Sequence, residues 1–253
     1  MATIETEAVV LRTLRYGESD AILSLLTPGL GRVSAIAKGA RKPTSRQGGR
    51  LQPGVRLHVM LVEGRGDLMT LRSTQVVDAG AGLWVDGYRL LAAGCVLEAA
   101  LRVVPEHEEA AASFNVITRA LVLLRATPPR EGEPRLDPIV LGTQAKLLAA
   151  SGLVPRLASC AACGAAPPLT GFSATAGGAV CTPCVVGSGA ERLDPAAADA
   201  LVGLLSRPLA DAPAQVDADA AAGVERMIAL MLREHLGVTL RSGTPLSVTT
   251  RPR

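Results

Sequence analysis

The sequence predicts an α+β protein of more than one domain, with an N-terminal β-barrel and a C-terminal helical domain that carries a four-cysteine zinc segment. Residues 1–80 hold short alternating segments between close turn signals, and the following residues hold apolar side chains at helical spacing. Four of the five cysteines lie within residues 160–184. We therefore place the barrel at residues 1–80, the helical domain at 81–253 and the inserted zinc segment at about 158–187.

The β prediction rests on five segments of β-branched or alternating residues. Turn signals such as Pro28-Gly29 and Pro53-Gly54 separate them. The predicted strands are Glu7–Tyr16, Asp20–Thr27, Gly31–Lys38, Val55–Glu63 and Leu68–Val77. Five strands within about 80 residues suit a small barrel of the OB type. The segment Gly39–Gly49 is basic and rich in glycine and serine, so we expect a mobile loop there.

The helical prediction covers the rest of the chain outside the cysteine segment. Helical spacing of apolar residues extends over residues 84–126 and 137–152, with a proline-rich break at 127–134. Asp137 followed by Pro138 is typical of a capped helix start. Two further helices are predicted at Pro195–Leu205 and Ala218–Leu236, and Gly237 ends the second. Residues 242–253 have nothing to pack against, so we expect them to be frayed.

The cysteine segment predicts one structural Zn²⁺ ion. Two Cys-x-x-Cys pairs are separated by seventeen residues, a spacing that suits two knuckles closing a tetrahedron around zinc. The predicted ligands are Cys160, Cys163, Cys181 and Cys184. Four sulfur ligands leave no position for water or substrate, so such a site is structural. A redox dithiol and a pair of disulfides are the alternatives. The fifth cysteine, Cys95, lies in an apolar helical segment and is expected to be a small core residue.

The charge distribution indicates a polyanion partner for the N-terminal part. Residues 1–80 hold eleven Lys or Arg against seven Asp or Glu, a net charge of +4, whereas the rest of the chain has a net charge of −1. No acidic residue lies between Asp20 and Glu63. The seven cations in this gap are Arg32, Lys38, Arg41, Lys42, Arg46, Arg50 and Arg56. They would bind nucleic-acid phosphates with weak sequence preference. The alternative is an ordinary solvated basic surface.

Several functional classes find no support in the sequence. Aromatic residues make up only 2% of the chain, which excludes a surface that stacks many bases. The acidic N-terminus "MATIETE" does not resemble a signal peptide, and no apolar run is long enough to cross a membrane. We therefore expect a cytoplasmic, nucleoid-associated protein without membrane contact. No nucleophile elbow, phosphate loop or paired carboxylates are found, so we expect no enzymatic activity.

Three stretches, in this order, resemble the RecO family of bacterial DNA repair and recombination proteins. The first is "VVLRTLRYGESDAILSLLTPGLGRVSAIAKGARKPTSR" followed by "LQPG". The second is "IVLGTQAKLLAASGLVPRLASCAACG", and the third is "MLREHLGVTLRS". Together they extend over most of the chain. The resemblance implies an OB-fold, a helical domain and a zinc segment in or beside that domain.

The resemblance also implies a recombination mediator. Such proteins bind single- and double-stranded DNA, anneal strands coated with single-strand-binding protein (SSB), and help RecR to load the RecA recombinase. From the basic part of the motif, the resemblance implies that the seven cations named above contact DNA, together with Arg12 and Arg15. Family members also bind the acidic, apolar SSB tail on the helical domain. The arginines that would form a basic rim for it are Arg102, Arg119, Arg125 and Arg156.

Two other functional classes stay open at the level of sequence. A zinc-containing nucleic-acid-processing enzyme would need an open metal position or a carboxylate cluster. An interaction adaptor would use the same basic face to meet an acidic protein. Competition between that partner and DNA would separate the adaptor from a DNA-binding mediator.

Overall fold

The computed structural model describes residues 2–43, 45, 48–64 and 66–241. The strands are β1 (Thr3–Tyr16), β2 (Asp20–Thr27), β3 (Gly31–Ala37), β4 (Arg56–Val62), β5 (Leu68–Asp78), β6 (Gly171–Ser173), β7 (Gly178–Val180) and β8 (Glu191–Arg192). The α-helices are α1 (Gly87–Val103), α2 (Ala111–Ala126), α3 (Pro138–Ala150), α4 (Thr182–Val185), α5 (Pro195–Ser206), α6 (Ala212–Gln215) and α7 (Ala218–Leu236). Among the described residues, no helix combines the length and the apolar character needed to span a membrane.

The first five strands close into a barrel in the order β1-β2-β3-β5-β4. All neighbours pair antiparallel except β3 and β5, which are parallel. Alternate residues such as Leu23, Leu25 and Val59 fill the interior, because successive side chains of a strand point to opposite faces. This confirms the predicted OB-type barrel. Strand β1 begins at Thr3, four residues earlier than predicted, because its first residues pair with β4.

Helices α1 and α2 belong to the same compact unit as the barrel. The described residues of this unit end at Pro129. The sequence predicts helix throughout residues 84–126, and this is wrong for residues 104–110, where the chain is not helical. Pro105 cannot donate a backbone hydrogen bond in a helix. Its carbonyl instead accepts from the Arg32 amide of β3, and the His107 amide donates to the Arg32 carbonyl. The segment between the two helices is thus attached to the barrel.

The second compact unit covers Arg130–Arg241 and is built on helices α3, α5 and α7. An aspartate caps the start of each: Asp137, Asp194 and Asp217 accept hydrogen bonds from amides in the first turn. The three predicted helix starts are thereby confirmed. Helix α7 ends at Leu236 and is capped by Gly237, whose φ of 63° lies in the left-handed region, also as predicted.

The cysteine segment lies between α3 and α5 and contains the small sheet β7-β6-β8. The predicted hairpin is present as β6 and β7, with Gly177 in its turn and Gly178 as the first residue of β7. A Cβ atom at Gly178 would lie 2.1 Å from the Arg156 carbonyl oxygen, so the chain that leaves α3 passes directly against β7. The boundary predicted between residues 80 and 81 stays a prediction.

Candidate metal centre and nucleic-acid interface

Two tight turns present the four cysteines of the cluster. In the first, the Gly164 amide donates to the Cys160 carbonyl, and Gly164 itself has a φ of 78°. In the second, Cys181 directly precedes α4, with Pro183 in the first turn of that helix. Strand β7 ends at Val180 and so places Cys181 at the start of α4. The hairpin therefore brings together two cysteine pairs that are distant in sequence.

The distances between the sulfurs suit a tetrahedral metal ion. The four Sγ atoms all lie within 4.8 Å of one another, and those of Cys163 and Cys181 are 3.7 Å apart. Sulfurs bound tetrahedrally to zinc at about 2.3 Å are about 3.8 Å from each other. Cys160 and Cys181 are buried, whereas Cys163 is exposed. The donor set and its geometry fit one metal ion with four thiolate ligands.

The pKa values of the thiols differ within the cluster. Backbone amides, chiefly that of Cys181, lower the pKa of the Cys160 thiol from 9.0 to about 6. The neighbouring thiols, chiefly that of Cys163, raise the pKa of Cys184 to about 12. Burial raises the pKa of Cys181. Several thiolates in so small a volume repel one another, and a divalent cation offsets that repulsion.

Helix α7 holds the turn of the hairpin that positions the cluster. The His235 Nε2 donates to the Ala174 carbonyl over 2.9 Å, and the Thr175 hydroxyl donates to the Glu234 carboxylate over 3.1 Å. Both partners on α7 lie in its last turn. Nothing in the sequence around His235 indicates this role. Its link to Ala174, 61 residues away in sequence, is visible only in the structure.

One group of predicted DNA-binding cations is held at the turn between β1 and β2. The Gly39 amide donates to the Asp20 carboxylate, and the Arg41 amide donates to the Ser19 carbonyl. These bonds fix the chain that carries Lys38, Arg41 and Lys42, and all three side chains are exposed. The Arg41 guanidinium also donates to the carbonyls of residues 17 and 18, which are neutral acceptors and carry no countercharge.

Two of the predicted cations have carboxylate partners within the chain. Arg32 pairs with Glu106 at 2.5 Å and donates to the Val104 carbonyl. Arg56 pairs with Glu7, and its guanidinium carbon lies 5.7 Å from the centre of the Phe114 ring. Arg32 lies near the start of β3 and Lys38 directly follows its end, so the two residues are about 20 Å apart by strand rise. The described cations thus separate into a paired group and an exposed group.

The remaining predicted site residues have varied positions. Arg50 is exposed in a short 3₁₀ helix, Gly48–Arg50, whereas Arg46 lies outside the described residues. Arg102 and Arg119 are exposed in the first compact unit, and Arg156 is exposed in the second. Arg125 pairs with Asp78 at 2.6 Å and lowers the pKa of that carboxyl group.

A cavity of about 530 Å³ in the first unit adds residues that sequence reasoning misses. Its lining joins Arg41 to Arg12 and Arg15 of β1, so the structure brings these three arginines together. Trp84 and Leu90 line the same cavity, although both are large apolar residues with more than 40% of their surface exposed. Exposed residues of this type indicate a binding surface, but no local sequence pattern connects them to β1.

The fold and these sites define a class: an OB-barrel protein with a helical second unit and a four-cysteine cluster suited to a metal. Comparison with known proteins narrows this class. The family model described as "Recombination protein O N terminal" matches residues 1–79, and "Recombination protein O C terminal" matches residues 85–244.

Individual relatives agree with the family models. The DNA repair protein RecO of Anaeromyxobacter dehalogenans (strain 2CP-C) is 38% identical over 94% of this chain and 93% of its own length. Those of Bifidobacterium animalis subsp. lactis and Myxococcus xanthus are 39% and 35% identical over 72% and 74% of this chain, and 74% of their own lengths. The chain belongs to the RecO family of DNA repair proteins.

Proposed function

We propose that this protein is a recombination mediator that binds single- and double-stranded DNA and anneals complementary strands coated with SSB. In this proposal it also acts with RecR to load RecA, and it binds the acidic tail of SSB. The single observation that supports DNA binding best is the exposed cationic group beside the β1–β2 turn, on an OB-type barrel. DNA binding would place the protein at the nucleoid.

The exposed group supplies the charge that annealing requires. Lys38, Arg41 and Lys42 have exposed side chains, and Arg12 and Arg15 line the cavity that Arg41 also borders. Two DNA strands repel each other, and a cationic surface lowers this repulsion and raises the local concentration of both strands. Arg32 and Arg56 are weaker candidates for phosphate contact, because each already has a carboxylate partner.

We propose that the cysteine cluster holds one zinc ion with a structural role. Four thiolates would complete its coordination, so the ion would offer no open position to water or substrate. Structural zinc typically contributes about 10–16 kcal/mol of binding free energy to folding. The zinc segment would then stabilise the second unit. It would not cleave DNA. This argues against the alternative of a zinc-dependent nucleic-acid-processing enzyme, for which metal-dependent DNA cleavage would be the sign.

The experiment that tests this function is an annealing assay with SSB-coated complementary strands across a salt series. The wild type is compared with the triple variant Arg41→Ala, Lys42→Ala, Arg46→Ala. We expect slower annealing, weaker binding to all DNA sequences alike, and a slope of log affinity against log salt that flattens by up to about 3. The matched control removes three exposed charges from the second unit, Arg130→Ala, Arg207→Ala and Arg233→Ala. An unchanged salt slope in the first variant would contradict the proposed phosphate contacts.

A further inference from the structure

The cavity beside the barrel has the size of a ligand site. It lies within the first compact unit, where the end of β1 forms one wall and Trp84 with the α1 residues Leu90 and Leu97 forms another. Its volume of about 530 Å³ is within the range of small-molecule sites. Of these wall residues, Trp84 is 41% exposed and Leu90 is 42% exposed, so apolar surface faces the solvent.

The indole of Trp84 lies close to two glycines. A Cβ atom at Gly54 would lie 3.3 Å from the indole Cζ2, and one at Gly80 would lie 3.7 Å from its Nε1. Both glycines have positive φ values, 83° and 66°, which other residues rarely adopt. The ring therefore packs on bare backbone on one side and remains partly exposed. A fixed, exposed aromatic ring is a platform on which a flat ligand stacks.

The charge around the cavity defines the other half of its ligand. Three arginines line it, Arg12, Arg15 and Arg41, and none of the described lining residues is Asp or Glu. Arg41 is oriented by two backbone carbonyls, which do not neutralise its charge. The cavity thus combines an aromatic and apolar wall with a cationic rim. A ligand that fits it would have one planar or apolar part and one anionic part.

We propose that this cavity receives an unpaired base of single-stranded DNA, stacked on Trp84, while the adjacent phosphates contact Arg12, Arg15 and Arg41. The inference rests on the proposed DNA binding and extends it with a preference for single strands. The exposed Lys38 and Lys42 are close to Arg41 in sequence and would extend the cationic surface along the DNA strand. A duplex would have to unpair a base before that base could enter, so duplex DNA would bind to the cations alone.

The single tryptophan of the chain makes this inference directly measurable. Since Trp84 is the only tryptophan, the intrinsic fluorescence of the full chain reports on the cavity. The protein is titrated with an oligothymidylate and with a duplex of equal length, while the anisotropy of labelled DNA reports total binding. We expect the single strand to change the Trp84 emission and to protect it from acrylamide, and the duplex to bind with little change in emission.

The two readouts separate the inference from the proposed function. A rise in anisotropy with unchanged Trp84 emission would overturn the stacking proposal and leave DNA binding intact. No rise in anisotropy with either DNA would overturn both. A change in emission caused by an acidic, apolar peptide that single-stranded DNA does not displace would show a protein-docking site instead, and would also overturn the proposal.

Variants test the role of the ring itself. We expect Trp84→Ala to weaken single-strand binding about 5- to 10-fold, because the stacked ring is lost, with duplex affinity unchanged. Trp84→Phe should retain most of the affinity. Val85→Ala is the control, because Val85 follows Trp84 directly, its side chain is 69% exposed, and it does not line the cavity. Thermal unfolding checks the fold of each variant. An equal loss for single strand and duplex would assign the ring a structural role and overturn the proposal.

Discussion

The backbone amide of Cys181 donates a hydrogen bond to the sulfur of Cys160, with 3.4 Å between the nitrogen and the sulfur. This bond joins the two cysteine pairs and lowers the pKa of Cys160 to about 6. One thiol of the cluster is therefore ionised at neutral pH, whereas Cys184, with its pKa raised to about 12, keeps its proton until a cation binds. Metal binding must then release protons, and its affinity must depend on pH.

The first prediction concerns the pH dependence of zinc affinity. Because more than one thiol loses its proton on binding, we expect the affinity to fall by more than tenfold for each pH unit between pH 8 and 6. Below pH 6 it should fall more steeply, since Cys160 then also becomes protonated. Competition with a chromophoric chelator at several pH values measures this. An affinity that is constant over this range would contradict thiolate ligation.

The second prediction concerns the loss of one ligand. Cys160→Ser should yield a purified protein without the proposed zinc and lower the free energy of unfolding by several kcal/mol, because a structural zinc ion contributes directly to folding. Elemental analysis gives the zinc content, and thermal unfolding gives the stability. Cys95→Ala is the matched control, since Cys95 is a buried cysteine of α1 outside the cluster, and it should keep the metal. Full stability of a metal-free Cys160→Ser protein would contradict the structural role.

The sequence predicts the cluster and most secondary structure elements because their signals are local. Cys-x-x-Cys pairs, an aspartate before a proline, and a glycine after an apolar helix each lie within a few residues. The break at residues 104–110 has one local signal, Pro105, but its extent depends on contacts with β3 that the sequence does not show. These contacts replace the helical hydrogen bonds that Pro105 prevents.

The charge pattern gives an incomplete view of the proposed DNA interface for a similar reason. No acid lies between Asp20 and Glu63 in sequence, yet the partners of Arg32 and Arg56 are 74 and 49 residues away. The cavity likewise joins residues 12–15, 41 and 84–97, and no periodicity connects such distant stretches. Local composition therefore identifies the cationic region, whereas the fold determines which of its charges are exposed.

The third prediction separates the two groups of cations. Arg56→Ala should lower the free energy of unfolding by about 1 kcal/mol, because it removes the half-exposed pair with Glu7 and the contact with Phe114. Its effect on DNA affinity should be small. Lys38→Ala should do the reverse, with weaker DNA binding and unchanged stability, since its exposed side chain directly follows β3 and forms no ion pair among the described residues. Chemical denaturation and fluorescence anisotropy measure the two quantities. A larger loss of DNA affinity for Arg56→Ala than for Lys38→Ala would contradict this division.

The fourth prediction concerns the contact between α7 and the hairpin of the cysteine cluster. His235→Ala removes the hydrogen bond to the Ala174 carbonyl, which should cost about 1 kcal/mol of unfolding free energy. It should also speed the transfer of zinc to a chelator, because the hairpin that carries Cys181 is held less firmly. His58→Ala is the control, since His58 is an exposed residue of β4 far from the cluster in sequence. Equal zinc transfer rates in His235→Ala and the wild type would show that the hairpin is held by its own sheet and by the metal alone.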